Sequence, residues 1–62
     1  MSTNELRENY RTAMQAYLEE VQMTHQKAIE RDAGFVEQLK KEREAEKRYR
    51  EAQIAFTNSA AF

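Results

Sequence analysis

The chain has 62 residues, no cysteine, no proline and one glycine, and its ten lysine and arginine residues against eleven acidic residues give a net charge of −1. This length holds one domain at most, and the balanced charge argues against bulk electrostatic attraction to nucleic acid or to a membrane surface. Without disulfides, so short a chain buries barely enough apolar surface to fold, so association with a partner is expected.

Most residues between Leu6 and Phe56 are strong helix formers, chiefly Ala, Glu, Lys, Arg, Gln, Leu and Met. Ser2 and Glu5 have the spacing of a capping box at a helix N-terminus. The sequence therefore predicts an all-α single domain. We expect a helix over about 3–31, a turn at about 32–34, a helix over about 35–57 and a frayed tail at 58–62.

Apolar residues follow a heptad repeat that forms a seam along both predicted helices. The two ends of this seam are apolar or aromatic, whereas its middle carries Thr24, Arg31, Gln38 and Glu42. So polar a centre is not typical of a strict coiled coil. The residues predicted to form the core and the self-association surface are Tyr10, Met14, Tyr17, Val21, Ala28, Leu39, Ala45, Tyr49, Ala52 and Phe56.

The single glycine, Gly34, lies in the polar middle and allows two interpretations. In the first, the chain turns there, Gly34 adopts a positive φ, and an antiparallel helical hairpin results. The positive charge of Lys27 would then lie at the C-terminus of the first helix, and the negative charge of Asp32 near the N-terminus of the second. Both placements are favourable for the helix dipoles. In the second, one straight helix of about 80 Å runs through in a coiled coil, because the heptad phase crosses Gly34 unbroken. We favour the hairpin.

Folding the chain at residues 32–34 pairs Tyr10 with Phe56 and Tyr17 with Tyr49 across the seam. Two straight helices associating antiparallel would form the same pairs, so the two forms are related by domain swapping. The remaining expected pairs are Met14–Ala52, Val21–Ala45, Ala28–Leu39 and His25–Glu42.

A hairpin of this kind leaves apolar residues uncovered beside the seam and at the turn. A second layer of helices would cover them, and dimerisation into a four-helix bundle is the simplest way to supply it. The candidate partner-binding residues are Leu18, Ile29, Phe35 and Val36.

The sequence offers little for catalysis or for metal binding. His25 is the only histidine, and the two serines lie near opposite ends of the chain, so no nucleophile–base pair can be drawn. No glutamate stands three residues before His25, where a di-iron helix bundle needs one. We therefore expect a non-enzymatic protein with no catalytic residues, no metal site and no cofactor.

Basic residues recur along one outward stripe of the second predicted helix, where they could follow the phosphates of a nucleic acid. This basic stripe consists of Lys40, Arg43, Lys47 and Arg50. Pairs of opposite charge four residues apart offer a structural explanation, because they stabilise a helix by about 0.2–0.5 kcal/mol each. The expected pairs are Glu37–Lys41, Glu44–Arg48 and Glu46–Arg50.

The sequence predicts a small helical protein–protein interaction module that acts stoichiometrically as a regulator, inhibitor, adaptor or minor assembly component. Its partner would be itself, as a homodimer, another protein, or both. One alternative is a dimeric RNA- or DNA-binding regulator that uses the basic stripe and resembles the small plasmid RNA-binding regulators in length and architecture. Another is a structural coiled-coil spacer. With no signal peptide or membrane-spanning run, we expect a cytoplasmic protein without membrane or small-molecule ligands.

Overall fold

A computed structural model describes residues 2–59 as two α-helices packed into a hairpin. Helix α1 spans Thr3–Glu30 and helix α2 spans Phe35–Ser59, and the hairpin measures 45 × 17 × 13 Å. The predicted all-α antiparallel hairpin is confirmed, and the straight helix is not formed. Of the tail expected to fray at 58–62, residues 58 and 59 continue α2, and residues 60–62 lie outside the described part. Neither helix, over residues 2–59, has the length and apolarity needed to cross a membrane.

Helix α1 begins with a side-chain cap. Ser2 has an extended backbone, with φ −76° and ψ 158°, and its hydroxyl oxygen accepts a hydrogen bond from the Glu5 N–H at 3.2 Å. One of the free N–H groups of the first turn is thereby satisfied, and the Glu5 carboxylate lies at the positive end of the helix dipole. The predicted capping role of Ser2 is confirmed.

Helix α1 ends at Glu30 and is capped by Arg31, which takes the left-handed conformation with φ 54° and ψ 41°. The Arg31 N–H donates to the Ala28 carbonyl at 3.2 Å and the Asp32 N–H donates to the Lys27 carbonyl at 2.9 Å, which is the bond pattern of a Schellman motif. The expectation that Gly34 adopts the positive φ is therefore wrong. The backbone carbonyls of Lys27 and Ala28 have no partner within the helix. The two hydrogen bonds that satisfy them require the left-handed conformation at position 31.

Gly34 serves the turn through its missing side chain instead. Its N–H donates to Asp32 Oδ1 at 2.6 Å, and a Cβ at position 34 would lie 3.0 Å from that oxygen and 3.4 Å from Lys27 Nζ. Lys27 Nζ in turn lies 3.8 Å from Asp32 Oδ1. The turn therefore closes around the Asp32 carboxylate, which joins the end of α1 to the start of α2.

No apolar side chain among residues 2–59 is fully buried. The two buried residues are polar: Thr24 is 5% exposed and Gln38 is 2% exposed. The Cα radius of gyration is 14.1 Å, against about 11 Å for a compact globule of this length. The hairpin is thus an elongated pair of helices without the apolar core that normally stabilises a domain.

The buried polar residues are joined by hydrogen bonds to Glu20. Gln38 Nε2 donates to Glu20 Oε2 at 2.8 Å and to the Glu20 carbonyl at 3.2 Å, and Thr24 Oγ1 donates to the same carbonyl at 2.9 Å. No buried side-chain polar atom within residues 2–59 is left without a partner. Because the bonds from Gln38 to Glu20 link the two helices at one level, they hold the register of the hairpin near its turn.

Replacing Arg31 by glycine should stabilise the hairpin by about 0.5–1 kcal/mol, because glycine takes the left-handed conformation without the steric cost that other residues have. Thermal unfolding followed by circular dichroism measures the effect. Arg31→Ala is the matched control, since it removes the same side chain but keeps a Cβ, and it should give no gain. Equal gains in both variants would contradict the assigned helix end.

Gln38→Ala should destabilise the hairpin by about 1.5–2 kcal/mol, because it removes the bonds that link the two helices at Glu20. Gln53→Ala is the control, because Gln53 is exposed and its Nε2 lies 3.5 Å from the Tyr10 hydroxyl. That substitution should cost less than about 0.5 kcal/mol. Denaturant unfolding of both variants measures the difference, and equal losses would refute the register role of Gln38.

Candidate interaction surface

An aromatic stack joins the two helices at the end of the hairpin away from the turn. The ring centroids of Phe56 and Tyr10 are 5.8 Å apart, those of Tyr10 and Tyr49 are 5.6 Å apart, and those of Tyr49 and Tyr17 are 5.5 Å apart. The interplanar angles of 28°, 22° and 11° show stacked rings. The expected pairs Tyr10–Phe56 and Tyr17–Tyr49 are confirmed. The Tyr10–Tyr49 contact was not expected, and it makes the four rings one continuous stack.

The other residues predicted for the core and for self-association line the same seam but are not fully buried. Ala28 is exposed in the single chain. The remaining members are half-buried: Met14, Val21, Leu39, Ala45 and Ala52. Their role in self-association stays a prediction.

Helix α1 buries one flank of the seam more than the other. Residues on one side of the seam, at seven-residue spacing, are half-buried, whereas Leu18 and His25 on the other side are exposed. The half-buried flank consists of Leu6, Ala13, Glu20 and Lys27. This rotation turns His25 towards solvent, so the expected contact between His25 and Glu42 is not an ion pair within residues 2–59.

Of the five large, exposed apolar side chains within residues 2–59, four lie on one side of the hairpin. Leu18, Ile29 and Val36 each follow a seam residue directly, and in two antiparallel right-handed helices such positions lie on the same side of the pair. Ile54 is 18 residues, or five full turns, after Val36 and continues its stripe. The exposed fractions are 52% for Leu18, 77% for Ile29, 60% for Val36 and 59% for Ile54.

We call this side the apolar face. It also includes Leu39, which follows Gln38 in the seam and is half-buried. Phe35, the fourth predicted partner-binding residue, is half-buried at the start of α2. Met23, 46% exposed, belongs to the outer surface of α1.

The opposite side, which we call the charged face, has a different chemistry. A shallow groove between the helices runs along it over the small side chains of Ala16 and Ala45. Charged side chains of both signs line the groove: Glu19, Glu20, Glu37, Lys40, Lys41, Glu44 and Arg48. The two faces of the hairpin thus differ sharply in polarity.

The four residues of the predicted basic stripe differ in whether they pair with a carboxylate. Lys40 Nζ lies 3.2 Å from Glu37 Oε1 and lines the groove of the charged face. Arg50 Nε donates to Glu46 Oε1 at 2.9 Å, and Arg50 Nη2 lies 2.8 Å from the same oxygen. Arg43 and Lys47, which line a hollow beside Ile54, make no ion pair within residues 2–59. Two of the four cations are therefore already matched by carboxylates of the same helix.

Of the three expected pairs four residues apart, only Glu46–Arg50 forms in the described chain. Glu37 pairs with Lys40 instead of Lys41, and Glu44 forms no ion pair with Arg48. Exposed pairs gain less than about 1 kcal/mol, so several arrangements of these long side chains compete. Within residues 2–59 there is no group of three or more side chains suited to hold a metal ion.

Two features of these surfaces are absent from the sequence-based predictions. The first is the role of Gln38 in holding the register, which a polar residue at a seam position can signal. The second is the position of Ile54 on the apolar face, which its 18-residue spacing from Val36 indicates.

The chain matches no family model, no curated protein and no solved structure at a significant level.

The aromatic stack gives the hairpin a dependence on alkaline pH. The neighbouring Tyr10 phenol, with a smaller contribution from burial, raises the pKa of the Tyr49 hydroxyl above its ordinary value of 10.0. The neutral phenol is therefore favoured in the folded state. Its contribution to stability is complete below pH 10.0 and is lost as the pH rises through the folded-state pKa of Tyr49.

A tyrosinate absorbance titration of the folded chain should show a step above pH 10.0 that Tyr49→Phe removes. Tyr10→Phe should move the Tyr49 step down towards 10.0, because it removes the hydroxyl that is the main cause of the raised pKa. Helicity recorded on the same samples should fall as the Tyr49 step titrates. A Tyr49 step that Tyr10→Phe leaves unmoved would contradict the assigned effect of Tyr10 on Tyr49.

Proposed function

We propose that this chain is a non-enzymatic helical interaction module that docks on a protein through its apolar face and acts stoichiometrically. The observation that carries the proposal is that residues 2–59 contain no fully buried apolar side chain, while Leu18, Ile29 and Val36 are between 52% and 77% exposed. Apolar surface that would form a core in an ordinary domain lies instead on one outer side of the pair.

The energetics of burial support this proposal. Covering a large aliphatic side chain stabilises by about 1.5–3 kcal/mol, so full burial of three such residues would add several kcal/mol. A domain of this size has only a few kcal/mol of net stability. A partner that covers the apolar face would therefore stabilise the hairpin. The hairpin would in turn cover part of the partner's own surface. Such a module fits a regulator, inhibitor, adaptor or minor assembly component.

Nucleic-acid binding through the basic stripe is less well supported. Lys40 and Arg50 are paired with carboxylates, and contacts to phosphates would have to replace those pairs. Arg43 and Lys47 alone would release few counterions, which gives weak binding at physiological salt. A spacer role required the straight helix of about 80 Å. The hairpin is 45 Å long, and we do not propose that role.

Site-specific photo-crosslinking in cells tests the proposal. A photoreactive benzophenone amino acid at position 29 should yield a protein adduct, because Ile29 is the most exposed residue of the apolar face. The same amino acid at position 16, in the groove of the charged face, is the matched control and should yield little or none. Adducts of equal yield from both positions, or adducts with nucleic acid from position 29, would contradict the proposal.

A further inference from the structure

We propose that the partner of the apolar face is a second copy of this chain, held by the half of that face nearest the turn. This inference rests on the proposed function and names its partner. The contact surface, which we call the turn-half patch, consists of Leu18, Ile29, Val36 and Leu39. Two hairpins meeting there form a four-helix bundle.

The elongated hairpin exposes enough surface for an interface of ordinary size. The chain exposes 4932 Å², whereas a compact monomer of 7.4 kDa exposes about 4,200 Å². The excess of about 700 Å² follows from the elongated shape, and it is of the same order as the roughly 800 Å² that each partner buries in a stable protein–protein interface.

The charge distribution favours a copy of the chain on this patch. From Leu18 to Ile29 the patch runs about 17 Å along α1, and the polar side chains between its apolar members on that helix, Gln22 and His25, are formally uncharged. On α2 the first charged residue of this face is Arg43, which lies at the edge of the patch. Two such patches can meet without burying a charge, so no repulsion opposes self-association there.

Two charged faces could not meet without burying charges. Glu20 lines its groove, and the carboxylate of Glu20 accepts the hydrogen bond from the buried Gln38 amide. A copy docked there would cover that carboxylate and its charged neighbours, and would have to replace their hydration. Docking on the turn-half patch leaves Glu20 in water and covers Leu39, which the single chain only half buries.

Sedimentation equilibrium of the full chain tests the proposal, with circular dichroism to verify that each variant stays helical. The unmodified chain should fit a monomer–dimer equilibrium whose larger species has about twice the 7.4 kDa chain mass. Ile29→Gln and Val36→Gln should each weaken the dimer at least about tenfold, because they place a polar side chain in its centre. Both residues are exposed in the single hairpin, so neither change should unfold it.

Ile54→Gln is the matched control. It makes the same substitution on the same face at similar exposure, but beyond the turn-half patch and beside Lys47 and Arg50, and it should change the dissociation constant less than about threefold. A dimer that Ile54→Gln weakens as much as Ile29→Gln, or that Ile29→Gln leaves intact, would overturn the proposed surface.

A chain that stays monomeric up to about 1 mM would overturn the second copy as partner. The proposed function would survive that result if the crosslinker at position 29 captured a different protein in cells. Absence of both the dimer and the adduct would reject the proposed function together with this inference.

Discussion

The stack of four aromatic rings is the interaction on which this hairpin depends. The rings come alternately from the two helices, in the order Phe56, Tyr10, Tyr49 and Tyr17, with centroid distances of 5.5–5.8 Å. Such interdigitation fixes how α2 lies along α1, because a shift of one residue would rotate each ring out of the stack. Near the turn, the hydrogen bonds from Gln38 to Glu20 fix the same register. The two helices are thus aligned at both ends of the seam, although no apolar side chain in the described part of the chain is fully buried.

This way of holding the hairpin together explains its two unlike faces. Rings, a buried amide and half-buried aliphatic residues fill the seam, whereas Leu18, Ile29 and Val36 each follow a seam residue and lie outside it. The rotation of α1 towards its Glu20 flank increases the exposure of the opposite side. An apolar face therefore follows from the seam, and its burial by a partner would add the stability that two helices cannot supply alone.

Much of this fold could be predicted from the sequence because the pattern of helix-forming residues and the heptad phase are local properties. The pairs Tyr10–Phe56 and Tyr17–Tyr49 follow from that phase once the chain folds at residues 32–34. The hairpin itself does not follow from the phase, which crosses Gly34 unbroken, and it is favoured by the glycine and the charges around it. The position of the left-handed residue does not follow from the phase either, since it depends on which carbonyls of α1 remain to be capped, and so Arg31 rather than Gly34 takes it. The pairing of Arg50 with Glu46 was predicted and is confirmed, but that of Lys40 with Glu37 was not predicted, because the rotamers of exposed lysine and arginine are decided by small energy differences.

The most direct test of this account is an isotope-filtered nuclear Overhauser measurement on labelled chains diluted with an excess of unlabelled chains. The account predicts contacts between the Tyr10 and Phe56 rings and between the Tyr17 and Tyr49 rings within one labelled chain, with intensities that do not change on dilution. Ring contacts that occur only between different chains would show that straight helices have exchanged partners, and would contradict the hairpin and both of the faces derived from it.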